Sequence, residues 1–142
     1  CCLKAGVPGL SENITVHSIV GNFLEHARIF YFENGGSPEV YMGSADWMPR
    51  NLDKRVEIMF PVEDPALKEQ VIHILKVQLA DNVKAHILQP DGTYEKIDKR
   101  GKVLVTAQEQ FCEEAVAMAK AATARDDVHN TRVFVPSEGQ GL

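Results

Sequence analysis

His26 and Arg28 stand two residues apart at the start of a β-branched and aromatic run, and their types suit chemistry at phosphate. An imidazole can act as nucleophile, acid or base near neutral pH, and a guanidinium binds non-bridging oxygens in bidentate fashion. If both lie on one strand, the i, i+2 spacing turns them to the same face. Spacing alone equally describes a histidine at an ordinary strand start beside a snorkelling arginine, and that is the commoner situation. A second segment runs from Gly43-Ser44-Ala45-Asp46-Trp47 through Arg50, Lys54 and Arg55 to Glu57. Small residues there allow close backbone approach, and Arg50 and Lys54 are anion contacts on charge alone. A solvated loop with Trp47 as its anchor is the plainer account of the same residues. Glu12, Glu25 and Glu57 are each able to orient His26, and sequence does not choose among them. His17, His73, His86 and His129 show no ligand spacing, so no metal site is expected from these residues.

These groups must be positioned by a chain of 142 residues, a length that suits one compact domain. Its 44% hydrophobic and 25% charged residues are ordinary for a globular protein. The net charge of −5 argues against a dedicated duplex-binding protein, although a local basic patch can still hold phosphates. No apolar run reaches the roughly 18 residues of a membrane span, and no secretory signal is visible. Cys1, Cys2 and Cys112 contain no CxxC pair, so neither a disulfide framework nor a zinc site is expected. The chain opens on Cys1 and is expected to be a piece of a longer protein, with Cys1-Cys2-Leu3 as the remnant of a buried strand.

Breakers predict a loop over residues 4–12. Residues 14–24 read as a short strand followed by a short helix from about Ser18. Residues 27–32 and 39–42 predict an antiparallel hairpin around Asn34-Gly35-Gly36-Ser37-Pro38, and the apolar run in 56–62 predicts a central third strand. Asp64 and Pro65 supply an N-cap and an N1 proline for a helix to about Ala80, striped by Leu67, Val71, Ile74 and Leu75. Residues 83–88 predict a strand that turns at Asp91-Gly92 and returns over 94–97. Thr106 with Glu109 predicts a capping box for a second helix, with Phe111, Ala115, Met118, Ala119 and Ala122 buried. Periodicity ends after Arg125. The expected fold is α/β, a mixed sheet flanked by helices, over residues 1–125, followed by an extended or disordered tail over 126–142. There is no P-loop and no dinucleotide-binding glycine fingerprint.

Several uncommon strings also occur in a distinctive order. They are Cys1-Cys2-Leu3, Gly6-Val7-Pro8-Gly9-Leu10-Ser11-Glu12-Asn13-Ile14, Ser18-Ile19-Val20-Gly21, Phe23-Leu24-Glu25-His26-Ala27-Arg28-Ile29, Asn34-Gly35-Gly36, Ser44-Ala45-Asp46-Trp47-Met48, Arg50-Asn51-Leu52 and Arg55-Val56-Glu57. In this combination the chain resembles the C-terminal domain of the bacterial polyphosphate kinase family, densely over the first 60 residues or so and more loosely beyond.

The resemblance implies a phospholipase D-like half that serves reversible transfer of the terminal phosphate of ATP to polyphosphate through a phosphohistidine. The family's H-x-K-like motif falls on His26-Ala27-Arg28, with Arg28 in place of lysine. The G-S-x-N stretch of phospholipase D falls on Gly43-Ser44-Ala45-Asp46, with Asp46 in place of asparagine. The resemblance puts the phosphorylated histidine in a preceding domain and makes His26 its partner, contacting ATP phosphates with Arg28; Arg50 and Lys54 then become polyphosphate contacts on electrostatic grounds. It implies ATP/ADP and Mg2+, with the magnesium ligands outside this chain. It further implies the preceding domains as partners, a homo-oligomer, no nucleic acid, and a cytoplasmic setting, with membrane association of the full-length protein as an alternative. The isolated chain is expected to be inactive. Two other functions fit the same residues: a phospholipase D-like phosphodiesterase half, and a non-catalytic polyphosphate-binding or oligomerisation module.

Overall fold

The computed structural model describes residues 3–125. The chain divides into two compact units, Cys1–Gln110 and Phe111–Leu142, and the candidate site lies wholly in the first. After an N-terminal loop come β1 (His17–Ile19), β2 (Ile29–Phe32), β3 (Glu39–Gly43) and a short helix α1 (Pro49–Lys54). Then follow β4 (Met59–Pro61), α2 (Pro65–Ala80), β5 (Ala85–Leu88), β6 (Tyr94–Lys96) and α3 (Ala107–Arg125).

The α/β class with long helices is as expected. The strands sort into two three-stranded sheets, ordered β1-β5-β6 and β2-β3-β4, rather than one mixed sheet. Every pairing among the described residues is antiparallel. The β2–β3 hairpin forms where predicted, with Phe32 opposite Glu39 and Ile29 opposite Met42. Its connection passes through Gly35 and Gly36 at φ of 63° and 93°, a left-handed path that side chains resist. β5 and β6 join at the predicted Asp91-Gly92 turn, where Asp91 Oδ1 accepts from the Thr93 backbone N–H at 2.9 Å.

One core closes over the β2-β3-β4 sheet. Val40, Val62 and Val71 are buried there, with Ile29, Met42 and Ile72 packed against them. α2 starts as its cap predicts: Asp64 Oδ1 accepts from the Leu67 N–H at 2.9 Å, and Pro65 occupies the first turn. Its buried residues are Val71 and Val77, whereas Leu67 is exposed, because the stripe that meets the sheet lies further along the helix.

A second knot ties α2 to β5 and to the start of α3. Asp81 is fully buried. Its Oδ1 accepts from the backbone N–H groups of Val83, Lys84 and Ala85 at 3.0, 2.7 and 3.1 Å, and its Oδ2 from Ala107 at 2.8 Å. Burial works against the charged carboxylate, yet these four donors outweigh it and hold the pKa below the usual carboxylate range. The carboxylate also meets the positive end of α3.

Five further expectations differ from the structure. No helix follows Ser18, and residues 20–28 are irregular. The run in 56–62 contributes only β4, an edge strand with exposed Met59 and Phe60, since β3 takes the central place. The polar connection after Trp47 folds into α1, started by Pro49. On α3, Ala115, Met118, Ala119 and Ala122 are exposed among the described residues and Phe111 is half-buried; apolar periodicity alone does not secure burial. Leu3 is exposed rather than part of a buried strand. Cys1, Cys2, the tail over 126–142 and its His129 fall outside the described residues. No helix among the described residues is long and apolar enough to cross a membrane.

Candidate active site

Antiparallel pairing builds the site. The Gly43 N–H donates to the Arg28 carbonyl at 3.0 Å, extending the hairpin ladder by one step beyond β2. That step sets the residues entering β2, His26 and Arg28, beside those leaving β3, Ser44 to Trp47. The sequence separation of 18 between Arg28 and Asp46 thus becomes direct contact. Phe30, two residues beyond Arg28, continues the same ladder and stacks on Trp47 with ring centroids 5.7 Å apart.

Arg28 is the hub. Its Nε donates to Asp46 Oδ1 at 2.9 Å, its Nη2 to the same oxygen, and its Nη1 to the His26 carbonyl at 2.6 Å. Nη2 also lies 2.5 Å from His26 Nε2. Asp46 Oδ2 is 3.6 Å from the same ring nitrogen. Hydrogen bonding from the Arg28 guanidinium, helped by its charge and that of His26, holds the Asp46 carboxyl below its ordinary pKa. Accessibility separates the roles: the His26 side chain is 68% exposed, Asp46 33% and Arg28 15%. The ring is offered to solvent, while the guanidinium beneath it is held.

The glutamates do not orient His26. Glu25 accepts from Gln78 and, at 2.9 Å, from Gln108. Glu57 accepts from the Ser44 hydroxyl, from Asn51 at 3.1 Å and from Arg55 at 3.2 Å, and the Ser44 contact is the main reason its pKa is lowered. Glu12 is exposed in the N-terminal loop. The carboxylate beside the His26 ring is Asp46, with Oδ2 3.6 Å from Nε2. In the sequence Asp46 is marked by the Gly43-Ser44-Ala45-Asp46 stretch, where it stands in place of asparagine.

A second residue that the sequence does not announce is Gln108. Its Oε1 accepts from the Phe23 N–H at 3.0 Å and its Nε2 donates to the Phe23 carbonyl at 2.8 Å, so one amide grips the backbone leading to His26. Gly21 makes room for this grip, because a Cβ there would stand 2.2 Å from Gln108 Oε1.

His26, Arg28, Phe30, Asp46 and Trp47 line an open cleft of about 390 Å³. Arg50 and Lys54 are exposed on α1 and do not line it. A larger groove of about 1040 Å³ runs along α2, walled mainly by Val20, Phe23, Leu24, Ile72 and Leu79. Lys76 and His17 also line the larger groove, but the smaller cleft brings a histidine and a guanidinium into contact. No set of three acidic, histidine or cysteine side chains among the described residues is placed to hold a metal ion.

An α/β domain that offers an exposed histidine over a clamped guanidinium is of a class suited to anionic oxygens. The particular family follows from comparison with known proteins. The family model described as polyphosphate kinase C-terminal domain 2 matches residues 1–108. A polyphosphate kinase of Lactiplantibacillus plantarum is 48% identical over 137 residues, covering 96% of this chain and 19% of that protein. One from Thermosynechococcus vestitus is 61% identical over 94 residues, 66% of this chain and 13% of the relative. The crystal structure of polyphosphate kinase from Porphyromonas gingivalis superposes with a TM-score of 0.78 at 39% identity, covering 85% of this chain and 18% of that one. The chain belongs to the polyphosphate kinase C-terminal domain family, and it spans less than a fifth of the length of these relatives.

Proposed function

We propose that this chain supplies half of the active site of an ATP:polyphosphate phosphotransferase, with His26 as the group it presents to the reacting phosphates. The observation that carries the reading is the exposed His26 ring beside a guanidinium in an open, one-sided cleft. Phosphoryl transfer asks a protein mainly for positioning and charge stabilisation, and a half-site can provide both. The other half, with the histidine that takes the phosphate from ATP and passes it to polyphosphate, belongs to a preceding domain in this reading. His26 then contacts the ATP phosphates and gives a hydrogen bond or proton as ADP departs. Magnesium, when bound, supplies charge neutralisation through ligands outside this chain.

The geometry refines the other assignments. Arg28 spends its donors on Asp46 and His26, which leaves a single Nη1 N–H for phosphate and no bidentate grip in this arrangement. Arg50 and Lys54, exposed and outside the cleft, suit the polyphosphate chain rather than the reacting phosphate.

The test is made in the full-length enzyme and in this chain alone. Polyphosphate synthesis should fall by about 10²-fold or more in full-length His26→Ala, with the thermal unfolding midpoint unchanged. The isolated chain should neither make nor consume polyphosphate. Normal turnover by His26→Ala removes His26 from the mechanism, and activity from the isolated chain refutes the half-site. An active enzyme whose His26→Ala variant changes only assembly or chain binding would support the non-catalytic module instead.

A further inference from the structure

We propose that Arg28 and Asp46 fix the tautomer of His26, so that the neutral ring carries its proton on Nδ1 and offers that N–H to a substrate phosphate oxygen. This deepens the reading of His26 given above and rests on it. It makes Arg28 and Asp46 positioning residues.

Guanidinium nitrogens only donate hydrogen bonds; they present no lone pair. Arg28 Nη2 lies 2.5 Å from His26 Nε2, and two N–H groups cannot face each other at hydrogen-bond distance. Nε2 is therefore the lone-pair nitrogen of the neutral imidazole, and the ring proton sits on Nδ1. Within the described residues no hydrogen bond engages Nδ1, so this N–H remains for a ligand.

The donor is itself held on two sides. Asp46 Oδ1 takes Nε and Nη2, and the carbonyl of His26 takes Nη1 at 2.6 Å. One planar group thus contacts both the ring and the main chain of the same histidine, which sets the ring relative to its own backbone. With Arg28 at 15% side-chain exposure, solvent offers it little alternative. Asp46 Oδ2, 3.6 Å from Nε2, is beyond hydrogen-bond reach, so the carboxylate acts on the ring through Arg28. Arg28 and Asp46 cancel in formal charge, so the pair contributes orientation more than attraction for phosphate.

The decisive measurement is the ring ¹⁵N pattern of His26 in ¹⁵N-histidine-labelled full-length enzyme at alkaline pH, assigned by difference from His26→Gln. Wild type should show a protonated Nδ1 and an unprotonated Nε2, and Arg28→Met should shift the ring toward the Nε2–H form. In steady state, Asp46→Ala should lower kcat by about 10²-fold with KM for ATP within about twofold, and Asp46→Asn, which keeps an acceptor for Arg28, should recover part of the loss. A wild-type ring protonated on Nε2 overturns the inference, as does an Asp46→Ala defect confined to KM. The ring measurement on wild type decides the matter even if a variant fails to fold. Full turnover by His26→Gln would instead sink the proposed function, whereas an inactive His26→Gln with an Nε2–H wild-type ring sinks the tautomer assignment alone.

Discussion

Asp46 and Asp81 are both carboxylates held below their ordinary pKa, yet they belong to opposite kinds of site. Asp81 is sealed in the first unit and answers only to backbone N–H groups, from the successive residues Val83, Lys84 and Ala85 that lead into β5 and from the start of α3. Asp46 is a third exposed at the rim of a cleft and answers to a side chain, Arg28, which in turn holds a histidine. The buried carboxylate organises the chain; the open one holds the guanidinium that contacts an exposed histidine. The difference follows from desolvation: a buried anion survives only if every lone pair is satisfied in place, whereas a surface anion keeps water as an alternative partner.

The comparison breaks most visibly at Asp81. Asp81→Ala leaves four backbone donors without their acceptor and should destabilise the chain by on the order of 3–5 kcal/mol, read as the shift in urea unfolding. A loss no larger than that of an ordinary surface substitution would mean that water replaces the carboxylate and the knot is dispensable.

A smaller effect is expected in the pH dependence. Because folding depresses the Asp81 pKa, its contribution is present above the unfolded value near 3.9 and is lost as pH falls through the lower folded value. Urea unfolding from pH 7 downward should therefore show the gap between wild type and Asp81→Asn narrowing below about pH 4. A gap that widens on acidification contradicts the sign.

The smallest stability effect belongs to Asp46. Asp46→Asn should leave the unfolding midpoint near wild type, and whatever shift it causes should shrink in 1 M salt, where the Debye length is about 3 Å. The Asp81 variants should show no comparable salt dependence. If Asp46→Asn unfolds the protein as Asp81→Ala does, the division between an organising and a functional carboxylate fails.

The two carboxylates also differ in how far they could be read from sequence. Asp64 and Pro65 announce α2 through local rules, as do Asn34-Gly35-Gly36 and Asp91-Gly92 for their hairpins, because caps and turns are settled within a few residues. Asp81 gave no such signal. Its partners lie both next to it and 26 residues on, at the start of a helix that sequence placed but did not connect to it. Glu12, Glu25 and Glu57 were candidates for orienting His26 among which sequence did not choose, and Asp46 stands beside the ring instead because the β2–β3 pairing continues one step beyond β2. Likewise β4 was expected in the centre of its sheet for its apolar run, but pairing order rather than hydrophobicity put β3 there.

The sequence by itself determined the family, the site's residue types at His26 and Arg28, both hairpins and the start of α2. Each is a property of adjacent residues or of strings in order. Only the tertiary structure decided that the strands form two antiparallel sheets, that Gln108 grips the segment before His26 from 85 residues away, and that Arg28 turns to Asp46 and the ring. The physical reason is that side-chain direction follows from local backbone geometry, whereas the choice of partner is made by long-range pairing and burial, which no short window of residues contains.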